Sequence, residues 1–184
     1  LLKNTDQRTW AGMARYNVKL GDHDLLMGVN LADTRETGGN YRNDHGRRNG
    51  QTVIIDNQSD STELFVVDRW KLAPDWTLVY GGQGVLTSRD VRTTDLASGV
   101  VRNPNGDYIS FNPRVGAIHA ITPGSEAYGS ISRLYEAPTT FELEDDVRGN
   151  GALLKAMHGV VYELGMRGST PPSPAAASWH WDVD

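Results

Sequence analysis

Tyr41, Arg42, His45, Arg47 and Arg48 set three guanidiniums, an imidazole and a phenol close together in one polar stretch. Arginine presents a planar fork of N–H donors, so this composition suits capture of an anionic ligand. The alternative is a charged loop that only keeps the surface solvated. A second cluster, Glu142, Glu144, Asp145 and Asp146, has carboxylates suited to divalent cations. It lacks the spacing and central glycine of a calcium loop. His180, Asp182 and Asp184 share one face of an extended segment, and three oxygen and nitrogen donors there could meet a metal.

Other chemistry is excluded or weak. The chain has no cysteine, which removes disulfides, thiolate metal sites and cysteine nucleophiles. No Gly-x-Ser-x-Gly, His-Glu-x-x-His or phosphate-loop pattern occurs. Gly81-Gly82-Gln83-Gly84 begins like a dinucleotide fingerprint, but Val-Leu-Thr follows as a strand, with no helix pattern. The five histidines, at 23, 45, 119, 158 and 180, have no ligand spacing. A formal charge of −5 gives no basis for a nucleic-acid partner. The expectation is a protein that catalyses no reaction and needs no cofactor.

The elements that must carry these residues alternate. Trp10, Gly12, Ala14, Tyr16, Val18 and Leu20 fall on one face of Thr9–Leu20, and Ala11, Met13, Arg15, Asn17 and Lys19 on the other. Only a period of two sorts the residues in that way. Leu25, Met27, Val29 and Leu31 oppose Leu26, Gly28, Asn30, Ala32 and Thr34 in a second strand. Strands are expected over Glu63–Ala73, from Trp76, over Gly159–Gly168 and from Trp179 to the end. The segment Ser110–Pro138 is expected to be a hairpin turned at Pro123-Gly124-Ser125. Phe111, Pro113, Val115, Ala117, His119 and Ile121 share a face of its first arm, while its return arm sorts poorly. About eight strands result at ordinary strand lengths.

Connection lengths also alternate. Short turns fall near Gly21, Pro74, Gly124 and Pro172, and long polar connections near Gly39, Ala97 and Asp146. Arg35–Ser61 is expected to be a long loop, interrupted only by Val53-Ile54-Ile55, and Ser88–Asp107 another. No apolar run is long enough for a membrane helix, but transmembrane strands alternate and score weakly on hydropathy. Outer-membrane barrels sort short turns to one end and long loops to the other. Trp70, Trp76 and Trp179 near the short-turn ends fit an interfacial girdle, and simple core packing is the alternative.

Pro113-Arg114-Val115-Gly116, Ala137-Pro138-Thr139, Leu154-Lys155 and Tyr162-Glu163-Leu164-Gly165, in that order, resemble the carboxyl-terminal barrel half of TonB-dependent outer-membrane receptors. ELFVVDRWKLAPDWTLVYGGQ resembles the family's Phe-x-x-Asp-x-Trp strand and the Trp-Thr-Leu strand after it. Ala156-Met157 replace the family's Pro-Glu pair. Plug domain, TonB box and terminal aromatic residue are not in the sequence, so the resemblance implies an interior segment of the barrel.

What the resemblance implies is an all-β, antiparallel up-and-down transmembrane barrel segment, about eight strands of a 22-stranded wall. In isolation it is an open curved sheet. It further implies a Gram-negative outer-membrane receptor, of the ferric-siderophore type, driven by the TonB-ExbB-ExbD complex acting on the plug. Outer-membrane lipid and lipopolysaccharide would surround it, the latter bridged by cations at the acidic run. Tyr41, Arg42, His45, Arg47 and Arg48 become candidates for binding the anionic iron chelate. Arg15, Lys19, Arg114, Glu163 and Arg167, with Asn17, Asn30, Gln83 and Asn112, become lumen-facing or plug-contacting positions. Glu163 and Arg167 lie about 13 Å apart along one strand, so each pairs with another strand. Two other architectures remain. A small closed eight-stranded barrel, an anchor or adhesin, would pair Thr9–Leu20 with Trp179–Asp184. A soluble carbohydrate-binding module would bury Trp10, Tyr16, Leu25 and Met27 against a second sheet.

Overall fold

A computed structural model describes residues 1–146, 153–170 and 179–184. Its strands are β1 (Leu2–Leu20), β2 (His23–Asp44), β3 (Arg47–Ala73), β4 (Trp76–Asp95), β5 (Val101–Arg102), β6 (Gly106–Thr122), β7 (Ser125–Glu136), β8 (Met157–Ser169) and β9 (His180–Val183). One short helix, α1 (Thr140–Asp145), lies between β7 and β8. The strands form one antiparallel meander in the order β1-β2-β3-β4-β6-β7-β8-β9, with β5 paired to β4. Leaving β5 aside, that is eight strands in chain order. Among the described residues β1 pairs only with β2 and β9 only with β8, so the sheet is open and the small closed barrel is overturned.

Register fixes the two faces. Tyr16 lies opposite Met27, Met27 opposite Val66, and Val66 opposite Gly82. One step along the strands, Val115, Ile131 and Tyr162 are partners in turn. This outer face is apolar and open: Trp10 is 79% exposed and Tyr16 61%, and Leu64, Ile109, Phe111 and Leu164 are also exposed. Among the described residues no second sheet covers it, which overturns the soluble module. On β4 the outer positions are apolar or glycine from Trp76 to Leu86 and polar from Ser88 onward. That stretch rises about 33 Å along the strand. At a strand tilt of about 40° it spans about 25 Å of the barrel axis, the height of a lipid-facing band. The poorly sorted arm β7 is settled by its partners. Ala127, Gly129 and Ile131 oppose His119, Ala117 and Val115 and therefore face outward.

The inner face is concave. Asn17 of β1 lines the same recess as Asp182 and Asp184 at the other edge, along with Arg114, Glu163 and Arg167. Its polar residues sit where water and protein, rather than lipid, can satisfy them.

Two expected loops are instead strands. Arg35–Ser61 continues β2 and β3 to a tight turn at His45-Gly46, and β4 runs on to Asp95. Polar side chains on both faces removed the alternation that marks a strand, yet the ladder persists because β1 and β4 extend alongside. Gly46 N donates to Asn43 Oδ1 at 2.8 Å, and His45 has a φ of 50°, which closes that turn. The short turns near Gly21, Pro74 and Gly124 all lie at the opposite end. The expected turn at Pro172 lies outside the described residues.

Gly81 tests the closeness of the ladder. A Cβ there would meet the Val66 carbonyl oxygen and stand 2.8 Å from Val67 Cα, while one at Gly84 has 3.9 Å to its nearest neighbour. Gly81→Val is expected to cost about 1–3 kcal/mol. The loss should appear as a smaller heat-modifiable folded fraction on gels, with Gly84→Val close to the parent protein.

Candidate functional site

At the end away from the short turns, the inner face is covered by the connection between β7 and β8. Ala137-Pro138-Thr139 leads from β7 into this connection. Thr139 caps α1: its hydroxyl accepts from Glu142 N at 3.2 Å, and Glu142 Oε2 accepts from Thr139 N at 2.8 Å. This reciprocal pair satisfies two N–H groups that a helix start leaves free. The helix packs against β3 and β4. Leu143 is fully buried, as are Ile55, Asn57 and Val91 on the inner face of those strands.

Polar contacts pin the strap. Lys3 Nζ donates to Glu144 Oε2 at 3.2 Å and pairs with Glu36 Oε1 at 3.7 Å. Asn57 Nδ2 donates to Glu36 at 3.1 Å and to Glu144 at 3.3 Å. The Lys3 ammonium also lies 5.3 Å from the centre of the Phe141 ring. Arg89 Nε donates to the Pro138 carbonyl at 3.0 Å, and Tyr108 Oη donates to the Leu154 carbonyl at 2.9 Å. The acidic run is therefore not assembled as a cation site. Glu142 is used in the cap and Glu144 in the ion pair. Among the described residues no group of three or more His, Asp or Glu side chains could hold a metal, the His180-Asp182-Asp184 face included.

The expected anion-binding residues lie on the β2–β3 hairpin tip. Arg48 stacks over Tyr41, its guanidinium carbon 4.7 Å from the ring centre. Arg42 lies opposite Asn49, and Arg47 opposite Asp44. His45 is in the turn, its Nδ1 2.8 Å from Asp44 Oδ1. Tyr41 and Arg48 are brought together, whereas Arg42 and Arg47 are held apart from that pair by strand alternation.

The polar positions of the clearest strands share the inner face. Glu63 Oε2 accepts from Asn30 at 3.2 Å and from Gln83 at 3.0 Å. Asn112 Oδ1 accepts from Ser110 at 2.9 Å. Glu163 Oε2 accepts from Arg114 at 3.4 Å and from Ser130 at 3.0 Å, and Arg167 pairs with Glu126. Arg15 lies 6.0 Å from the Phe65 ring centre, and Lys19 is opposite Asp24 in register. Asn17 lies on the same face, at the edge of the recess.

Sequence reasoning missed a polar cluster on the outer face. Asp68 is only 7% exposed there. It accepts from Tyr80 Oη at 2.7 Å and lies 2.6 Å from His23 Nδ1. His23 stacks on Trp70 with ring centres 5.4 Å apart, and Trp76 stacks on His119 at 4.4 Å. The available signal was Asp68 itself, a carboxylate in an outward series Leu64, Val66, Asp68, Trp70. Trp70 and Trp76 lie at the short-turn border of the band. Trp179 immediately precedes β9.

An open antiparallel meander with a lipid-height apolar outside and a polar, strapped inside defines a segment of transmembrane β-barrel wall. The chain belongs to the family described as TonB dependent receptor-like, beta-barrel, whose model matches residues 2–182. This is a receptor family, not an enzyme family, and it places the chain in the outer membrane of a Gram-negative cell. Solved structures show the same fold. Pseudomonas aeruginosa FpvA bound to heterologous pyoverdines is 19% identical, with a TM-score of 0.60 over 91% of this chain and 23% of that one. The ferric citrate transporter FecA is 13% identical, with a TM-score of 0.65 over 90% of this chain and 25% of that one. The ferric yersiniabactin uptake receptor FyuA from Yersinia pestis is 15% identical, with a TM-score of 0.59 over 91% and 27%. The chain thus spans about a quarter of these relatives' length. No curated protein matched.

The cap makes the strap testable. Thr139→Ala should cost about 1 kcal/mol of helix stability and Thr139→Ser little. Hydrogen exchange across 140–146 should speed up about fivefold in the alanine variant only. Hydrogen bonds from Thr139, first its backbone N–H, hold the Glu142 carboxyl below its usual pKa. That stabilisation is complete above the ordinary carboxylate range and is lost as pH falls through the lowered value. Protection of these amides, taken relative to their intrinsic exchange rate at each pH, should therefore fall on acidification, and Glu142→Gln should flatten that dependence.

Proposed function

We propose that the protein containing this chain is a receptor that takes up a ferric siderophore across the outer membrane. The reading is carried by the end of the sheet distal to the short turns. There a hairpin tip with Tyr41, Arg42, His45, Arg47 and Arg48 projects beyond the lipid-facing band, beside a connection folded over the inner face. In a chain of this family, that end meets the external solution. Three solved relatives are named for ferric ligands, a pyoverdine, citrate and yersiniabactin. An iron chelate bearing carboxylates matches a tip rich in arginine and tyrosine.

In this scheme the hairpin makes the first contact through charge-assisted hydrogen bonds. The inner face, with Arg15, Lys19, Arg114, Glu163 and Arg167, faces the plug and the solvated path. Energy reaches the plug through the TonB-ExbB-ExbD complex, while the wall stays in lipid and lipopolysaccharide.

The test is uptake of radiolabelled ferric siderophores by cells expressing the protein, with and without a functional TonB gene. TonB-dependent iron accumulation is expected, and iron uptake equal to that of cells lacking the protein would refute the reading. Replacing Arg42, Arg47 and Arg48 together by alanine should weaken chelate binding about tenfold, or about 1.4 kcal/mol. The difference should shrink at high salt, because exposed charges are screened.

A further inference from the structure

The sequence holds three Asn-Gly pairs, Asn49-Gly50, Asn105-Gly106 and Asn150-Gly151, of which the last lies outside the described residues. In such a pair the side-chain amide is open to attack by the next backbone nitrogen, because glycine has no Cβ to block the approach. The fold treats the first two pairs differently.

Asn105 is held. Its Oδ1 accepts from Val91 N at 2.9 Å, and its own N–H donates to the Asn103 carbonyl at 2.9 Å. Gly106 opens β6 opposite Arg89. A Cβ at Gly106 would run into the Leu153 side chain and stand 3.2 Å from Tyr108 Oη, so the space around it is filled. Asn49, by contrast, is exposed beside the hairpin tip, and its side chain makes no hydrogen bond among the described residues. Gly50 follows with a φ of 63° and open space where a Cβ would stand. The ladder also skips Gly50. Tyr41 pairs with Gln51 and Arg42 with Asn49, with register shifts on both sides of Tyr41. A bulge leaves its extra residue unpaired, so the Asn49-Gly50 peptide can turn without breaking the strand. Charge differs across the hairpin as well. Arg47 faces Asp44, whereas Arg42 faces the neutral Asn49.

We propose that Asn49 is a site of spontaneous deamidation that changes the charge of the hairpin tip. The Gly50 backbone nitrogen loses its proton and attacks Asn49 Cγ. The new C–N bond closes a succinimide, and the side-chain nitrogen leaves as ammonia. Water then opens the ring at either carbonyl, giving aspartate or isoaspartate, with no change of oxidation state. The aspartate product sets a carboxylate opposite Arg42, at the distance of direct cross-strand neighbours, whose Cβ atoms are about 5 Å apart. The isoaspartate product adds a methylene to the backbone, inside a bulge that already carries an extra residue. Either way the tip gains a second anion beside Asp44. Aged receptors then hold an anionic ligand less well than new ones, and that consequence alone rests on the proposed function.

Peptide mapping by mass spectrometry tests the site, on folded protein incubated at neutral and at mildly alkaline pH. Conversion at Asn49 should run at least about fivefold faster than at Asn105, whose hydrogen bond must first break. It should speed up with pH, because the Gly50 amide must lose a proton. Denaturing the protein before incubation should bring Asn105 up to the rate of Asn49. Asn49→Gln should nearly stop the conversion, since the longer side chain must close a larger ring. Labelling with an arginine-directed dicarbonyl reads the charge effect. At low salt Asn49→Asp should slow labelling of Arg42 about twofold, the scale of an exposed cross-strand pair. High salt should remove the difference. Equal rates at Asn49 and Asn105 in the folded protein would overturn the site, and unchanged labelling of Arg42 in Asn49→Asp would overturn the charge effect. Neither readout involves a chelate, so a failed iron-uptake experiment would leave both standing.

Discussion

Everything in this wall depends on backbone hydrogen bonding where water is scarce. Each peptide N–H and C=O at membrane depth needs a partner within the protein, and an antiparallel ladder supplies one on both sides of every strand. The register from β1 through β4, shifted only around Tyr41 and between Lys71 and Ala73, meets that demand. The same constraint explains why the two open edges, β1 and β9, can be stable in lipid only when paired to further strands. It also explains how the wall is held at a fork. Where β6 and β7 part beyond Arg114 and Ser132, Arg89 donates to the Pro138 carbonyl on the inner side and Arg133 donates to the Phe111 carbonyl.

Once the ladder is fixed, the side chains divide the solvent. Outward positions are apolar over a band that matches a bilayer, and inward ones are hydrogen-bonded across strands. Asp68 shows what an exception costs. A carboxylate on the lipid face is kept only with a tyrosine hydroxyl and a histidine as partners, under a stacked tryptophan. Burying such a group without partners would be unfavourable by several kcal/mol or more, about what desolvating an ion requires. Its place near the short-turn border, beside two His–Trp stacks, puts it close to headgroups instead of the bilayer centre.

The two ends of the sheet differ in kind. Short turns close one end with little side-chain chemistry. The other end carries a ladder that outlasts the membrane, a hairpin tip with arginines, and a capped helix turned back onto the inner face. Leu143 and the Lys3-Glu144-Asn57-Glu36 contacts hold that helix against the inner face as part of the structure.

The sequence by itself determined the alternation, and through it the strands, their faces and the sorting of turns. Trp10 to Leu20 and Phe111 to Ile121 could be assigned to faces because a period of two has one physical meaning. That same parity put each residue of the set from Arg15 to Arg167 on one face of its strand, and the resemblance implied that this face is the inward one. Tertiary structure decided what parity cannot encode. Residues 35–61 read as a loop because both faces are polar, yet they form strands, since neighbouring strands rather than burial supply their bonds. The acidic run read as a candidate for divalent cations, and only the fold brings Lys3 and Asn57, far away in sequence, to Glu144. Asp68, His23 and Tyr80 likewise meet because three strands place them in one row. Contacts between distant strands depend on register, and register is set by the whole ladder rather than by any single stretch of sequence.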